Sequence, residues 1–427
     1  MPYPLSSQTD TPQTLSRNEW SKSSRIKQLF SAFGHRNYRL FWSGNVVSLV
    51  GSWMQSTALS WLVYKMTGSE FLLGLIGFSN AIPLLILSPF GGVLADRVRK
   101  QKLILATQFG MMTSAFLLTY LTWSGHIQIW QLFCITIFNG MLLAIDAPGR
   151  QSFIYELVGK EDLMNAIGMN SVAFNSARII GPAIAGQLVG WFGEAGCFLG
   201  NGLSFLAVLF ALMMIKLPHR ELIIQKKSFA DDIKQGFKYM AGHPTIRGLL
   251  TMVSVPSVLI MSYPTLMPVF AKEIFHKDAG GYGILMSSVG VGAVFGALLI
   301  GWLSRSNKKG RFLIMGAFGS TIFTFLFAVC QWYWLACLLL VGMGFSNVVY
   351  LATTNALLQS NSPDEYRGRI ISIFTLTSLG LTPFGNLLAG TIAEKTSAPI
   401  TLGAFALITL SYTIFINYRV PQLRRLT

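Results

Sequence analysis

The residue that is hardest to explain by packing alone is Arg178, which lies near the middle of an apolar stretch, about 15 residues from both Asp162 and Glu194. At about 1.5 Å of rise per residue, its guanidinium is too deep to reach lipid headgroups easily and must face protein or a wet cavity. The planar fork of donors suits an anionic or acceptor-rich molecule, with an amide such as Asn175 holding the side chain in place. Two other roles stay open, a structural hydrogen-bond hub and an ion pair with Asp146.

Polar side chains recur at helical spacings within other apolar stretches. Residues three, four or seven positions apart lie on one face of a helix, and polar groups inside a membrane are costly unless they face protein or water. The pattern predicts a substrate cavity, although each group could instead make an interhelical hydrogen bond worth about 0.6–2 kcal/mol. The predicted cavity residues are Asn45, Ser48, Gln55, Asn139, Asn175, Arg178, Tyr263, Asn347 and Tyr350.

The sequence contains no constellation typical of an enzyme. The five histidines lie between apolar stretches or at their ends, without an HExxH pattern, and no Walker loop is present. The four cysteines lie in apolar stretches without metal-ligand spacing. We therefore predict no enzymatic activity, no catalytic or metal-binding residues and no cofactor. A membrane enzyme and a non-transporting receptor or scaffold are the alternatives from other functional classes.

Composition indicates that the chain is a membrane protein. Of its 427 residues, 52% are hydrophobic and 12% are charged, whereas about a quarter of a soluble domain is charged. Charge-free stretches of about 20 residues can span a bilayer, and twelve spans can be assigned. The predicted fold class is an all-α membrane protein with two six-helix bundles. The net charge of +16 is spread over short segments between spans, so it indicates topology and not nucleic-acid binding.

The Lys and Arg residues predict that both termini are cytoplasmic, because they concentrate in the two tails and in alternate loops. Similar glycine spacings in the two halves indicate a duplicated six-helix unit, which is typical of secondary transporters. The predicted divisions are a cytoplasmic tail at 1–40, a first bundle at 41–215, a cytoplasmic linker at 216–247, a second bundle at 248–418 and a cytoplasmic tail at 419–427.

The loop after the second span carries charges that topology alone does not require. Asp96 is an anion at the C-terminal end of its helix, where the macrodipole disfavours it, so it should find a partner on another helix. The residues Gly92, Asp96, Arg97 and Lys100 resemble the signature loop of the major facilitator superfamily of transporters. In that family, such residues latch the cytoplasmic ends of helices together. We predict that Asp96 caps the eleventh span and that Arg97 or Lys100 reaches Asp146.

The fifth span carries small residues at intervals of four, which let two transmembrane backbones approach closely. Static packing alone would explain the spacing equally well. The same run also resembles the Gly-Pro motif in the fifth helix of exporters of the superfamily, and we expect it to face Gly292 and Gly296 of the eighth span. The predicted helix-packing residues are Ala177, Gly181, Pro182, Ala185 and Gly186.

Two further segments resemble one branch of the superfamily. The loop from Asp146 to Arg150 and the run from Asn175 to Arg178 look like the drug-exporter branch, which includes macrolide efflux proteins and the enterobactin exporter. The resemblance implies export of an amphipathic drug, siderophore or related metabolite across a bacterial inner membrane in exchange for protons. The expected partners are the substrate and the lipid bilayer, and the expected state is a monomer. A uniporter or importer of a small metabolite is the alternative on the same fold.

Overall fold

The computed structural model describes residues 30–216, 229–303 and 308–426, and no strand is present in these three ranges. Four long helices begin the chain, and each is long and apolar enough to cross a membrane. The first starts at Arg36, five residues before the predicted bundle boundary, and residues 1–29 of the predicted tail at 1–40 lie outside the described part of the chain. These helices are α1 (Arg36–Thr67), α2 (Glu70–Arg97), α3 (Lys100–Trp123) and α4 (Ile129–Val158).

The next helix, Leu163–Met214, contains 52 residues and is therefore about 78 Å long, well over twice the hydrocarbon thickness of a bilayer. Gly193 interrupts it with φ 67° and ψ −176°, a conformation that glycine adopts readily because it has no Cβ. The chain therefore crosses the membrane twice here, as α5 (163–192) and α6 (194–214). These two helices complete a first six-helix bundle.

The second half of the described chain contains six further membrane helices, which brings the total to twelve. The first of them is broken near Ile260, because Pro264 has no backbone N–H to donate to the carbonyl oxygen of Ile260, and it ends in a π-helical turn at Phe270–Ile274. The helices are α7 (Pro244–Ile274), α8 (Ala279–Leu303), α9 (Lys309–Val329), α10 (Tyr333–Ser360), α11 (Asp364–Lys395) and α12 (Ala398–Arg419).

A short amphipathic helix, Phe229–Gly242, precedes α7, within the segment predicted as a linker. The ring of Tyr239 stacks on Tyr366 with 4.3 Å between centroids, so this connector helix rests on the first turns of α11. Residues 217–228 of the predicted linker lie outside the described part of the chain.

The two bundles meet along two helix pairs, α5 with α8 and α2 with α11. The described chain begins and ends on the same side of the molecule, since it crosses the bilayer twelve times. We call the side that carries Ser31 and Leu426 the terminal face and the other side the opposite face. Contacts between α2 and α11 concentrate in 382–395, the part of α11 nearer the opposite face. The bundles are therefore closed against each other at the opposite face.

Small residues on α5 pack against two different neighbours. Gly181 lies against Trp53 and the backbone of α1, whereas Gly186 and Pro182 lie against α8 at Gly280 and Gly283. The expected contact of α5 with Gly292 and Gly296 is wrong. A Cβ at either of those glycines would meet Val341 or Phe345 of α10 instead, so that face of α8 packs within its own bundle. All five predicted packing residues, Ala177, Gly181, Pro182, Ala185 and Gly186, are buried.

Candidate substrate cavity

A cavity of about 480 Å³ lies between the two bundles, within the size range of small-molecule sites. It lies on the terminal-face side of the contacts that close the opposite face. Residues from both bundles form its wall, so a molecule inside it would contact both halves. The polar and aromatic wall residues include Trp53, Gln55, Ser56, Asn80, Asn139, Arg178, Asn201, Tyr263, Tyr282 and Asn386.

Arg178 is the one Lys or Arg among the wall residues of the described chain, and no Asp or Glu accompanies it there. Its Nη2 donates a hydrogen bond to the hydroxyl of Tyr263 at 3.0 Å, and its guanidinium lies 5.9 Å from the ring centroid of Trp53. These two residues belong to α7 and α1, so Arg178 connects the bundles. The cavity therefore offers an uncompensated positive charge with donor groups to spare.

One expectation for Arg178 is wrong, and one of the open alternatives does not occur in this structure. Asn175 does not hold the guanidinium, because its amide donates to the backbone carbonyl of Ser171 at 2.8 Å, one helical turn earlier. Asp146 does not pair with it either, because that carboxylate is bound within the first bundle by Arg150. Arg178 is therefore positioned by an aromatic ring and a hydroxyl, and not by a carboxylate.

Side-chain amides give the wall its hydrogen-bonding capacity. Gln55 accepts a hydrogen bond from Asn201 at 2.7 Å, and the Oδ1 atom of Asn139 accepts one from Ser114 at 2.7 Å. The second bond leaves the two N–H donors of Asn139 for a ligand. Three further wall residues, Asn80, Asn201 and Asn386, were not predicted, although each is a polar residue inside an apolar span.

Four of the nine predicted cavity residues lie on the wall, and five do not. Tyr350 is turned away, because its hydroxyl donates to the carbonyl oxygen of Met252 at 2.7 Å inside the second bundle. The amide of Asn347 points at the sulfur of Met261, 3.6 Å away. The residues on the wall are Gln55, Asn139, Arg178 and Tyr263, and those elsewhere are Asn45, Ser48, Asn175, Asn347 and Tyr350.

Part of the wall is apolar and deformable. Met111, Met261 and Met286 contribute flexible thioethers, and Phe205 adds an aromatic surface. Methionine adapts its shape to irregular ligands because it is unbranched and polarizable. Together with one cation and several amides, this wall suits an amphipathic molecule that carries negative charge.

A second ionisable site lies buried inside the first bundle. Asp146 is 2% exposed and binds Arg150, four residues further along α4. Its carboxylate also accepts hydrogen bonds from Thr107 at 2.6 Å and Gln108 at 3.1 Å, and Arg150 reaches Asn45 of α1. The carboxylate thus links α3 with α4, and the guanidinium extends the network to α1. The hydrogen-bonding groups of this network are paired within one bundle, and the network does not face the cavity.

The structure describes the side chains of only some of the predicted latch residues. Lys100 does not reach Asp146, because its ammonium group pairs with Glu156 at 2.5 Å, and Arg97 is exposed. That part of the prediction is wrong for the state closed at the opposite face. The side chain of Asp96 lies outside the described part of the chain, so its capping role stays a prediction. A Cβ on Gly92 would meet nothing within 4 Å, so this glycine is not required for packing here.

The contact of α5 with α8 predicts that a bulky residue at Gly283 opens the opposite face. A Cβ there would collide with the carbonyl oxygen of Pro182 and with Gly186, so Gly283→Leu should push the two helices apart. With cavity residue Ser56 replaced by cysteine and Cys134 by serine, labelling by a maleimide applied at the opposite face should become several-fold faster.

Gly301→Leu provides the matched control for that experiment. It lies on the same helix, but a Cβ there would meet nothing within 4 Å, so it should leave the labelling rate unchanged. Equal labelling rates in the two variants would show that the α5–α8 contact does not close the molecule.

Known proteins are similar to this chain over almost its whole length. A model of the transmembrane secretion effector family matches residues 27–426. The staphyloferrin A transporter of Staphylococcus aureus is 27% identical over 398 residues, which cover 90% of this chain and 96% of that protein. The enterobactin exporter EntS of Shigella flexneri is 23% identical over 413 residues, or 95% of this chain and 97% of that protein.

Solved structures show the same fold at low sequence identity. A bacterial homologue of the human lysosomal transporter Spinster, solved in an inward-facing and occupied conformation, superposes with a TM-score of 0.71 at 12% identity. The match covers 91% of this chain and 98% of that structure. Since the family model spans almost the whole sequence, the chain belongs to the transmembrane secretion effector family of the major facilitator superfamily, and it is a membrane transporter and not an enzyme.

Proposed function

We propose that this protein exports an amphipathic, anionic small molecule of the siderophore class by alternating access. The observation that carries the proposal is the cavity wall, in which Arg178 stands as a cation without a carboxylate while amides and methionines surround it. A substrate with carboxylate or catecholate oxygens would bind the guanidinium bidentately, and its apolar parts would contact the methionine wall. The names of the two relatives, which refer to staphyloferrin A and enterobactin, support this class of substrate.

The proposal places the terminal face in the cytoplasm of a bacterium and the opposite face outside its inner membrane. The basic residues of the tails and of alternate loops support this orientation, because Lys and Arg are retained on the cytoplasmic side. The state closed at the opposite face would then load substrate from the cytoplasm as a monomer. Contact of the substrate with both bundles would favour the closure of the cytoplasmic side that precedes release.

Transport by inside-out membrane vesicles tests this proposal directly. Vesicles that contain the protein are expected to accumulate enterobactin or staphyloferrin A, whereas vesicles without it should not. A panel of cationic drugs serves as the comparison, because the unpaired cation of the cavity should disfavour them. Accumulation of the cationic drugs without either siderophore would contradict the proposed substrate class.

We further propose that export is exchanged for protons. We do not assign the proton to Asp146, because its carboxylate is bound by Arg150, Thr107 and Gln108 inside the first bundle and does not line the cavity. We expect substrate accumulation in inside-out vesicles to rise several-fold when their interior is acidified, and the Asp146→Asn variant, where it folds, to keep that dependence. Accumulation that is equal with and without a pH gradient would favour the uniporter alternative.

A further inference from the structure

One carboxylate at the opposite face joins the two bundles directly. Glu394, next to the last residue of α11, accepts hydrogen bonds from the hydroxyl of Ser69 at 3.0 Å and from the backbone N–H of Phe71 at 3.0 Å. Ser69 is the N-cap of α2 and Phe71 lies in its first turn, where the helix N-terminus favours a negative charge. Glu394 of the second bundle therefore acts as a cap for a helix of the first bundle.

Glu70 lies between Ser69 and Phe71, the two residues that donate to Glu394, so its carboxyl group lies beside that of Glu394. Two ionised carboxylates in such contact repel strongly, so the pair is stable when it holds one proton. Glu394 already accepts two donors, which stabilise its ionised form, so the proton belongs on Glu70, which then donates to Glu394. A Cβ on Gly390 would collide with the carbonyl oxygen of Glu70 and with Gly74, so the two backbones touch at this point.

The charges around the pair do not neutralise it. Glu273 of α7 lies nearby and accepts a hydrogen bond from the hydroxyl of Tyr64 at 3.3 Å, while Lys272 lies 5.1 Å from the ring centroid of Tyr64. Among the described ion pairs of this face, Lys65 binds Glu194 at 3.0 Å inside the first bundle, and none involves Glu70 or Glu394. Lys395 is exposed. The polar contact between Glu70 and Glu394 therefore depends on the shared proton and on the cap, in addition to the helix packing around it.

We propose that the pair of Glu70 and Glu394 is a pH-sensitive gate, which holds the opposite face closed while it retains one proton. Opening the gate separates the two carboxyl groups, so Glu70 loses its acceptor and releases the proton to the same side. Because the closed state holds one proton more than the open state, raising the external pH favours opening, by at most about tenfold per pH unit. An acidic exterior therefore favours the return of the empty transporter to the state closed at the opposite face, the step that follows release and that proton exchange requires.

The inference rests on the proposed orientation but not on the proposed substrate, so its test needs no substrate. Cavity residue Ser56 is replaced by cysteine in a Cys134→Ser background, and a membrane-impermeant maleimide is applied outside right-side-out vesicles between pH 5.5 and 8.5. The Glu70→Gln variant corrects for the reactivity of the thiol itself, because its amide donates to Glu394 at every pH. Relative to that variant, labelling of the parent is expected to rise severalfold or more as the pH is raised.

Two further variants complete the test. Glu394→Ala removes the acceptor, so its labelling should be fast even at pH 5.5. Glu194→Gln is the matched control, because it breaks the ion pair with Lys65 at the same face without touching the contact between the bundles. It should label like the parent. The gate is refuted if Glu394→Ala labels no faster than the parent at pH 5.5, or if the labelling rates of the parent and Glu70→Gln keep a constant ratio across this range. Failure of siderophore transport with an intact pH response would refute only the proposed substrate.

Discussion

Arg178→Gln is expected to weaken binding of the transported anion about thirtyfold while leaving the protein folded in the membrane. Glutamine retains a donor but removes the charge and the bidentate fork, and a hydrogen bond to a charged group is worth about 2 kcal/mol. The affinity of Arg178→Lys for the anion should lie between those of Arg178→Gln and the parent protein, because lysine keeps the charge but loses the planar geometry. The measurement is the concentration dependence of siderophore uptake by inside-out vesicles.

Two controls separate a substrate contact from a structural role of Arg178. Arg419→Gln removes an exposed arginine that packs on Phe415 outside the cavity, and it should leave uptake unchanged. Tyr263→Phe removes the hydroxyl that binds Arg178 but leaves the guanidinium in place. If Arg178 were only a hydrogen-bond hub, Tyr263→Phe would impair transport as much as Arg178→Gln. Wild-type affinity in the Arg178→Gln variant would remove this residue from the substrate site altogether.

The membrane fold could be predicted because it depends on strong, local signals. A charge-free stretch of about 20 residues crosses a bilayer wherever it occurs, and no tertiary information is needed to recognise it. The close approach of α5 to other helices was equally visible, since Gly181 and Gly186 leave space for a neighbouring backbone. Which neighbour takes that space was not predictable from spacing, because Gly292 is as small as Gly283 and yet packs on α10.

The cavity could be predicted only in part, because the helices are apolar on every side and spacing does not show which face turns inward. Tyr350 shares a helical face with Asn347, but its hydroxyl finds the carbonyl oxygen of Met252 within its own bundle. Asn80 has no polar neighbour at helical spacing on its own helix that would mark it, and Asn386 has only Thr382, four residues earlier. They become significant only because α2 and α11 cross beside the cavity.

The error about Asp146 has a different cause. Arg150 follows it by four residues, which places the two side chains together on one helix, so a local ion pair was readable from the sequence. The resemblance to the signature loop predicted Lys100 as a partner of Asp146 instead, but the ammonium group of Lys100 pairs with Glu156. Partners in a mobile latch also change between conformations, and a single state shows only one set of them.

Removing Arg150 is expected to have the largest effect on stability. Arg150→Met leaves the carboxylate of Asp146, whose side chain is 3% exposed, without its cation inside the first bundle. Breaking a buried ion pair in this way costs about 3–5 kcal/mol, so the variant should unfold at a markedly lower temperature in detergent. The matched control is Arg367→Met, because its pair with Asp364 is exposed, with side-chain exposures of 46% and 89%. Removal of an exposed pair changes stability by about 1 kcal/mol or less.

A double variant separates the loss of the cation from the loss of packing. Asp146→Leu combined with Arg150→Met removes both charges and fills part of their volume, and replacement of a buried pair by apolar groups is often neutral. Thr107 and Gln108 would lose their acceptor, so we expect most of the stability, but not all of it, to return. If the double variant is as unstable as Arg150→Met alone, the arginine stabilises the bundle by packing against α1, and the charge of Asp146 is not the cause. If Arg150→Met unfolds at the temperature of Arg367→Met, the buried network contributes no more than a surface ion pair.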